Sequence, residues 1–206
     1  MDGSPHNNRT LVQDLSQFRV SREQRGRSRV VTQLWEIVQN TLFACSPTIM
    51  YGWRRFLLRL FGARIGKQVI VRPSVKIKYP WKLVIGDHSW IGDNVGLYSL
   101  GSISIGENAV ISQMSYLCTG THDHTDPSFP YILRSICVGD EAWVCADVFV
   151  GPGVTIGAGA VIGARSTVWR DVEPLCIAAG NPAIARGRRM KKEDESRERP
   201  ELKYPS

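Results

Sequence analysis

Aliphatic residues recur every six positions through much of the second half of the chain. Six of them stand at unbroken sixfold spacing: Val138, Val144, Val150, Ile156, Ile162 and Val168. Because roughly a quarter of the chain is Ile, Leu or Val, chance produces such a run only about once in five thousand starting points. Four places after each of them stands a small or β-branched residue: Ala142, Val148, Val154, Ala160, Ser166 and Val172. The spacing therefore indicates a structural repeat.

The same spacing occurs earlier in three triplets of aliphatic residues: Ile65, Val71, Ile77; Ile85, Ile91, Leu97; Ile105, Ile111, Leu117. Three sixes make one 18-residue coil of a three-sided prism, with one strand per side and the aliphatic residues stacked inside. The triplets begin at 65, 85, 105, 138 and 156, so two coils carry two extra residues and one carries fifteen. A sandwich of alternating strands is disfavoured, because residues 138–173 lack the regular turn clusters that it needs.

Three segments lie outside the repeat. Residues 1–28 are polar and Arg-rich without helical or strand periodicity, which predicts a polar arm. Residues 29–62 contain two amphipathic patterns, and we expect one helix to bury Val31, Leu34, Trp35, Val38 and Leu42 and the other to bury Met50, Trp53, Leu57, Leu60 and Phe61. Residues 186–206 alternate basic and acidic blocks, which predicts a charged, solvated tail.

Composition narrows the class of protein. Twenty-six Lys and Arg against 19 Asp and Glu give a net charge of +7, which is compatible with anionic partners such as phosphates, nucleic acid or a membrane surface. Five cysteines without a CxxC pair predict neither a disulfide framework nor a thiolate zinc site and favour a reducing cytoplasm. Neither a secretion signal nor a membrane-spanning stretch is expected. The basic faces of the two helices leave open a peripheral contact with the inner face of a membrane.

The fifteen extra residues lie between Leu117 and Val138, and they predict a loop over residues 122–135 on one face of the prism. This loop holds His122, Asp123 and His124. A neutral imidazole can accept a proton from an alcohol near pH 7, so these histidines are candidates for a general base, although a loop histidine is more often merely solvated.

The strings "VGPGVTIGAGAVIGARSTVWRDV" and "IAAGNPA" resemble the hexapeptide-repeat acyltransferases. More narrowly, "LFACSPTIMYGWRRFLLRLFGARIG", "RPSVKIKYPWKL" and "SYLCTGTHDH" resemble the colanic acid biosynthesis acetyltransferases over nearly the whole chain. The resemblance implies a mainly β fold, a left-handed parallel β-helix over residues 63–185 preceded by two α-helices and the polar arm. It also implies an O-acetyltransferase that moves an acetyl group from acetyl-CoA, as co-substrate, to a sugar hydroxyl of a cell-surface polysaccharide precursor.

The resemblance assigns His122 as the general base that deprotonates the hydroxyl for direct attack on the thioester. An acyl-enzyme on Cys118 is disfavoured, because nothing in the sequence signals an activated thiolate there. On the coenzyme side the family's pattern matches six residues: Trp143, Ala146, Ala164, Arg170, Arg186 and Arg188. Ile184 departs from that pattern, since the family often has a basic residue there, and this weakens the match at Arg186.

On the acceptor side, Asn94 matches an acceptor-contacting asparagine, although "GDN" is also a common corner of such a coil. Asp123 and His124 are further acceptor candidates, while Asp93 and Tyr98 are weaker ones. The saccharide acceptor, which can be lipid-linked, is not specified by any motif. The family further implies a homotrimer in which neighbouring prisms share each site.

Two other functions remain open. A γ-type carbonic anhydrase would bind zinc with three histidines, and His88, His122 and His124 invite that comparison, although their spacing differs from that of the family. A non-catalytic β-helix scaffold is the second alternative. We expect no resident metal and no nucleic-acid partner, because no readout motif is present.

Overall fold

The computed structural model describes residues 12–190. Most of these residues form the coils of a three-sided solenoid. In chain order the strands are β1 Arg64–Ile65, β2 Ile70–Val71, β3 Lys76–Ile77, β4 Leu83–Ile85, β5 Trp90–Ile91, β6 Gly96–Tyr98, β7 Ile103–Ile105, β8 Val110–Ile111, β9 Tyr116–Cys118, β10 Gly120–His122, β11 Tyr131–Leu133, β12 Ile136–Val138, β13 Trp143–Val144, β14 Phe149–Val150, β15 Thr155–Ile156, β16 Val161–Ile162, β17 Thr167–Val168, β18 Cys176–Gly180 and β19 Ala183–Arg188.

Three sheets form the sides of the prism. Sheet A has the order β1-β4-β7-β12-β15, sheet B has β2-β5-β8-β13-β16-β18-β19, and sheet C has β3-β6-β9-β14-β17. All neighbouring coils pair in parallel, and the sixfold aliphatic residues stand directly over one another, as Ile85 over Ile65 and Val150 over Leu117. Their side chains fill the centre of the prism and are almost fully buried. The predicted parallel β-helix is confirmed.

Two helical segments cover the open edge of the first coil. Helix α2 (Arg29–Val38) continues into a π-helical turn at Gln39–Phe43, and α3 spans Tyr51–Leu60. Their side chains pair with the main-chain groups that the first coil leaves free. Trp35 Nε1 donates to the Ile77 carbonyl at 2.8 Å, and the Gln39 side-chain oxygen accepts from the Ile77 N–H at 2.6 Å. The helices thus cover the first strand of the sheet, whose main-chain groups have no neighbouring strand to pair with.

Arginines of α3 cap the other two sheets in the same way. Arg54 Nε donates to the Val71 carbonyl at 2.6 Å, and Arg59 reaches the Ile65 carbonyl at 2.7 Å. The Arg54 side chain is fully buried, and its remaining N–H groups bind the turn that joins the two helices, at Pro47 and Thr48. Burial lowers the pKa of Arg54 from its ordinary value.

The helices bury only part of each predicted stripe, with Trp35 and Leu57 buried as expected. Four residues that the pattern placed on the buried faces are instead 41–66% exposed: Leu34, Leu42, Met50 and Leu60. Arg54 takes one of the fully buried positions on α3, because the unpaired carbonyls of the first coil need donors. The apolar pattern does not specify which face of these helices is buried, because both faces carry apolar residues.

The polar arm is more ordered than predicted. A 3₁₀ turn spans Leu15–Gln17, and a one-turn helix α1 spans Arg22–Arg25. A capping box between Ser21 and Gln24 opens α1, and this Ser-x-x-Gln signal was readable in the sequence. Residues 1–11 of the arm lie outside the described residues, as does the tail from residue 191.

All the extra residues of the first three coils leave the prism at one corner, between sheet C and sheet A. We call residues 78–82, 99–102 and 119–135 the wide corner. The three levels are bonded to one another: Ser99 Oγ accepts from the Tyr79 N–H at 2.8 Å, and Thr119 Oγ1 accepts from the Gly101 N–H at 2.8 Å. The two-residue excess of coils one and two therefore builds a base under the fifteen-residue insertion.

The insertion, predicted as a loop over residues 122–135, is a β-hairpin. Strands β10 and β11 pair antiparallel, with His122 opposite Tyr131. His122 is therefore the last residue of a strand.

The far end of the solenoid is closed by a second hairpin. Strand β19 folds back antiparallel on β18, and the strand continues to Arg188, so the tail boundary predicted at residue 186 falls inside a strand. The register shifts between Ala178 and Ile177, which leaves Arg186 as the extra residue of a β-bulge. Bulges of this kind redirect a side chain.

Candidate active site

His122 is held by one strong hydrogen bond. Its Nδ1 lies 2.7 Å from the Phe129 carbonyl oxygen. A carbonyl can only accept, so Nδ1 carries the proton in the neutral ring and Nε2 keeps a free lone pair. The bond thereby fixes the tautomer that a general base needs.

The Phe129 carbonyl reaches the imidazole because its backbone is unusual. Phe129 has φ = 51°, in the left-handed region that a bulky residue rarely adopts. Its N–H donates to the Asp126 carbonyl at 2.9 Å, which closes the tip of the hairpin. Strain of this kind is typical of functional sites.

Aromatic rings surround the imidazole of His122. The Phe129 ring stacks on it with centroids 4.1 Å apart, and Tyr131 lies tilted at 4.5 Å. A third ring comes from the N-terminal arm, because Phe18 lies 5.7 Å from His122 and 5.1 Å from Tyr131. The sequence analysis missed all three, although the aromatic string "SFPY" in the insertion was a readable signal.

Asp123 and His124 follow His122 at the hairpin tip. The Asp123 carboxylate accepts from the hydroxyl and the N–H of Thr125, and these bonds lower the pKa of Asp123. His124 is exposed, and its side chain has no bond among the described residues. The structure thus brings His122, Asp123 and His124 to one tip, where hydrogen bonds orient the side chains of His122 and Asp123.

The outer face of sheet B carries an apolar groove. Trp90 and Trp143 line it at 55% and 45% exposure, and its volume is about 460 Å³. Trp143 Nε1 donates to Ser112 Oγ at 2.9 Å, which fixes the indole on the face of the sheet. Trp90 was not singled out from the sequence.

Asn94, Ala146 and Ala164 lie along the corner between sheets B and C. Main-chain bonds link the levels of this corner: the Met114 N–H donates to the Asp93 carbonyl, and the Arg165 N–H donates to the Ala146 carbonyl, both at 2.9 Å. Ala164 and Asn94 are exposed, and Ala146 is half-buried. The structure therefore aligns these three predicted residues along one edge of the prism.

The three predicted arginines do not form one cluster. Arg186 and Arg188 lie on β19 in sheet B, where Arg186 comes close to Gly180 above the corner of Ala164. Arg170 follows β17, whereas Ala164 precedes it, so Arg170 stands at the opposite edge of sheet C. Within one chain, Arg170 is thus separated from the other two.

His122 and the corner of Ala146 and Ala164 also stand apart within one chain. The hairpin leaves from the wide corner, and the full width of sheet C lies between that corner and the two alanines. His88 lies on the third corner, between β4 and β5, so the three histidines of the zinc alternative do not meet. No group of three or more His, Cys, Asp or Glu side chains suited to a metal occurs within residues 12–190. No helix among these residues is long and apolar enough to cross a membrane.

Comparisons with known proteins agree with this architecture. Residues 82–113 match the family model described as hexapeptide repeat of succinyl-transferase. The chain is 53% identical over 182 residues to the colanic acid biosynthesis acetyltransferase WcaF of Escherichia coli K12, covering 88% of this chain and all of the relative. It is 31% identical to the galactoside O-acetyltransferase of the same organism, over 63% of this chain and 65% of the relative.

Among solved structures, a hexapeptide-repeat-containing acetyltransferase of Vibrio cholerae in complex with acetyl-CoA superimposes with a TM-score of 0.70. It is 25% identical and covers 79% of this chain and 87% of its own. The coils, the hairpin with its oriented histidine and the full-length similarity to WcaF lead to one conclusion: the chain belongs to the colanic acid biosynthesis acetyltransferases of the hexapeptide-repeat acyltransferase family.

Proposed function

We propose that this acetyltransferase moves the acetyl group of acetyl-CoA to a sugar hydroxyl of an exopolysaccharide precursor of the colanic acid type. The observation that carries the assignment of the base is the bond between His122 Nδ1 and the Phe129 carbonyl, which leaves Nε2 free. Nε2 takes the proton of the sugar hydroxyl while the oxygen attacks the thioester carbonyl. Collapse of the tetrahedral oxyanion releases the CoA thiolate, which receives the proton back from the imidazolium.

The coenzyme is proposed to lie along sheet B and its corner with sheet C. Trp143 offers an apolar surface to the pantetheine arm, and the small side chains of Ala146 and Ala164 leave their main-chain groups accessible to its amides. Arg186 and Arg188 supply positive charge for the phosphates at the closed end of the solenoid. Asn94 continues the same edge toward the acceptor, with Asp123 and His124 approaching from the hairpin.

The separation of base and groove within one chain supports a homotrimer. His122 stands at one edge of sheet C and Ala164 at the other, so a complete site needs the groove of one copy and the hairpin of a neighbour. Arg170, at the same edge as the hairpin, would then join the coenzyme site of that neighbour.

Complementation between two inactive variants tests this arrangement. His122→Ala removes the base, and Ala164→Trp fills the groove. In randomly mixed trimers about a quarter of the sites combine an intact base with an intact groove, so co-refolded protein should regain about a quarter of the wild-type activity. A mixture that stays inactive, or an active monomer in sedimentation, would contradict the shared site.

We also propose that the helical segment contacts an anionic membrane surface, where a lipid-linked acceptor would be presented on the cytoplasmic side. Residues 24–86 contain twelve Lys and Arg and only one acid, Glu36. Apolar side chains of the helical segment remain exposed, with Ile49 in the connecting turn at 83% and Phe56 on α3 at 52%. An apolar face bordered by cations is the pattern of an interfacial helix.

Sedimentation with vesicles tests this contact. Binding should require anionic lipid and should weaken strongly in the variant Ile49→Ser/Phe56→Ser. Trp169→Ser is the matched control, since Trp169 is 57% exposed at the other end of the molecule. Equal binding of the two variants would contradict the proposal.

Transfer itself is tested with labelled acetyl-CoA and a panel of lipid-linked and nucleotide-linked sugars. Acetylation of a hydroxyl that depends on His122 supports the proposed function. A zinc-dependent hydration of carbon dioxide in place of transfer would favour the carbonic anhydrase alternative.

A further inference from the structure

We infer that residues 14–25 form a strap that orients His122, and that Phe18 is the positioning residue within it. This inference rests on the proposed role of His122 as base. These residues belong to the arm that is polar and without periodicity in the sequence. The strap is fastened at both ends to the wide corner, and its middle carries Phe18 to the imidazole.

One end of the strap is fixed on the lowest level of the wide corner. Trp81 Nε1 donates to the Arg25 carbonyl at 2.7 Å, and Lys82 Nζ donates to the Gln24 carbonyl. The chain then turns away at Gly26, where φ is 77° and an added Cβ would lie 3.1 Å from Trp81 Nε1. A side chain at that position would be strained and crowded, so this glycine allows the close approach.

The other end is fixed on the tip of the hairpin. The Asp14 N–H donates to the Pro127 carbonyl at 2.7 Å. The Asp14 carboxylate accepts from the hydroxyl of Ser16 at 2.6 Å and from the side chain of Gln17 at 2.8 Å, which holds the 3₁₀ turn. Hydrogen bonds from these groups lower the pKa of Asp14, so the charged carboxylate and its cap persist to a lower pH than for an ordinary aspartate.

Phe18 follows this turn directly, and its position is fixed from both sides. Arg19 Nη1 donates to the carbonyls of Ser16 and Phe18, at 2.6 and 2.8 Å, which ties the end of the turn together. The ring of Phe18 packs edge-on against Tyr131 at 5.1 Å and beside His122 at 5.7 Å.

Three aromatic rings hold the imidazole of His122 in place. Phe129 stacks on the imidazole at 4.1 Å and Tyr131 lies at 4.5 Å, so Phe18 supplies the third wall. Rotation of the imidazole about its side-chain bonds would break the 2.7 Å bond from Nδ1 to the Phe129 carbonyl and turn Nε2 away. A wall that opposes this rotation keeps the base in its working orientation, and small losses of orientation lower the rate of the chemical step.

Turnover of strap variants gives the first test. Phe18→Ala should lower kcat about tenfold and leave the KM for acetyl-CoA unchanged, because the Phe18 ring packs on His122 and Tyr131 and on none of the residues assigned to the coenzyme. Phe18→Tyr should restore most of the rate, since it keeps the ring. Leu15→Ala is the control in the same turn, because Leu15 is 60% exposed, and it should match wild type. Wild-type kcat in Phe18→Ala, or an equal loss in Leu15→Ala, would overturn the inference.

Nitrogen NMR of the His122 ring gives a second test that needs no acceptor. In wild type one tautomer, protonated at Nδ1, should dominate in the neutral ring, and in Phe18→Ala the signals should move toward a mixture of both tautomers. An unchanged tautomer in Phe18→Ala would refute the positioning role even if the enzyme were less active. If instead His122→Ala keeps full activity while Phe18→Ala alters the tautomer, the proposed base is wrong and the strap stands.

Discussion

The coils and the hairpin of one chain are built on opposite principles. In the coils each level repeats the one beneath it: Ile85 stands on Ile65 and Ile105 on Ile85, and all three are buried. In the hairpin nothing repeats. His122 depends on single contacts with Phe129, Tyr131 and Phe18, each from a different position in the sequence.

The difference separates stability from chemistry. A repeated core distributes its packing over many equivalent residues, so it can carry an insertion that contributes little to the fold. The wide corner is the transition between the two, because Ser99 and Thr119 bond its levels and set the direction in which the hairpin leaves. Changes in the hairpin should therefore reduce activity alone, and changes under the coils should reduce stability alone.

The largest effect is expected at the hairpin. His122→Ala should lower kcat by roughly 10² to 10⁴, about 3 to 5 kcal/mol of barrier, because it removes the proton acceptor. The melting temperature and the circular dichroism should remain those of wild type. His88→Asn, at an exposed corner outside the site and with a residue that tolerates its φ of 60°, should keep full activity. Near-wild-type turnover in His122→Ala would remove the assignment.

The next effect is expected under the first coil. Arg54→Met should destabilise the protein by about 2 to 4 kcal/mol, because it leaves the buried carbonyl of Val71 without a donor and also removes the bond to Pro47. Denaturant unfolding measures the loss, and kcat of the folded fraction should not change. Arg64→Met, at an exposed arginine of the same coil, should lie within about 0.5 kcal/mol of wild type. Equal stability of both variants would show that the cap is dispensable.

A smaller effect is expected at the coenzyme end. Replacing Arg170 and Arg186 with Ala should raise the KM for acetyl-CoA about tenfold, equivalent to about 1.4 kcal/mol, with a smaller change in kcat. The two single variants then show how much of the change in KM comes from Arg186 on sheet B and how much from Arg170 at the edge that bears the hairpin. If the double variant keeps the wild-type KM, Arg188 becomes the stronger candidate for the phosphate site.

The smallest effect is expected at a surface ion pair of the coils. The hydroxyl of Ser74 and then the guanidinium of Arg72 lower the pKa of Asp93 below its ordinary value of 3.8. A lowered carboxylate pKa stabilises the fold above that ordinary value, and the contribution is lost as the pH falls through the lowered one. Asp93→Asn should therefore lower the free energy of unfolding by less than about 1 kcal/mol at pH 7. Below about pH 4 the free energy of unfolding should depend less on pH in the variant than in wild type. A larger loss at pH 7 would mean that Asp93 does more than pair at the surface.

The sequence was sufficient to predict much of the fold but only part of the candidate site. The sixfold spacing specified which residue stands on which, as Val144 over Ile111, because a solenoid places sequence neighbours one coil apart at fixed intervals. The position of the fifteen-residue insertion, with His122 in it, was readable for the same reason. The hairpin within it was not predicted, since its pairing of His122 with Tyr131 follows no repeat.

The periodic part could thus be read from the sequence: coil length, core residues and the level at which regularity breaks. The burial of Arg54 and the exposure of Leu60 follow from the folded coils, because Arg54 caps carbonyls of a coil later in the chain. The tertiary structure also brought Phe18 to His122, across more than a hundred residues of sequence. Periodicity encodes contacts between equivalent positions, whereas a cap or a strap meets a surface that exists only after the coils have formed.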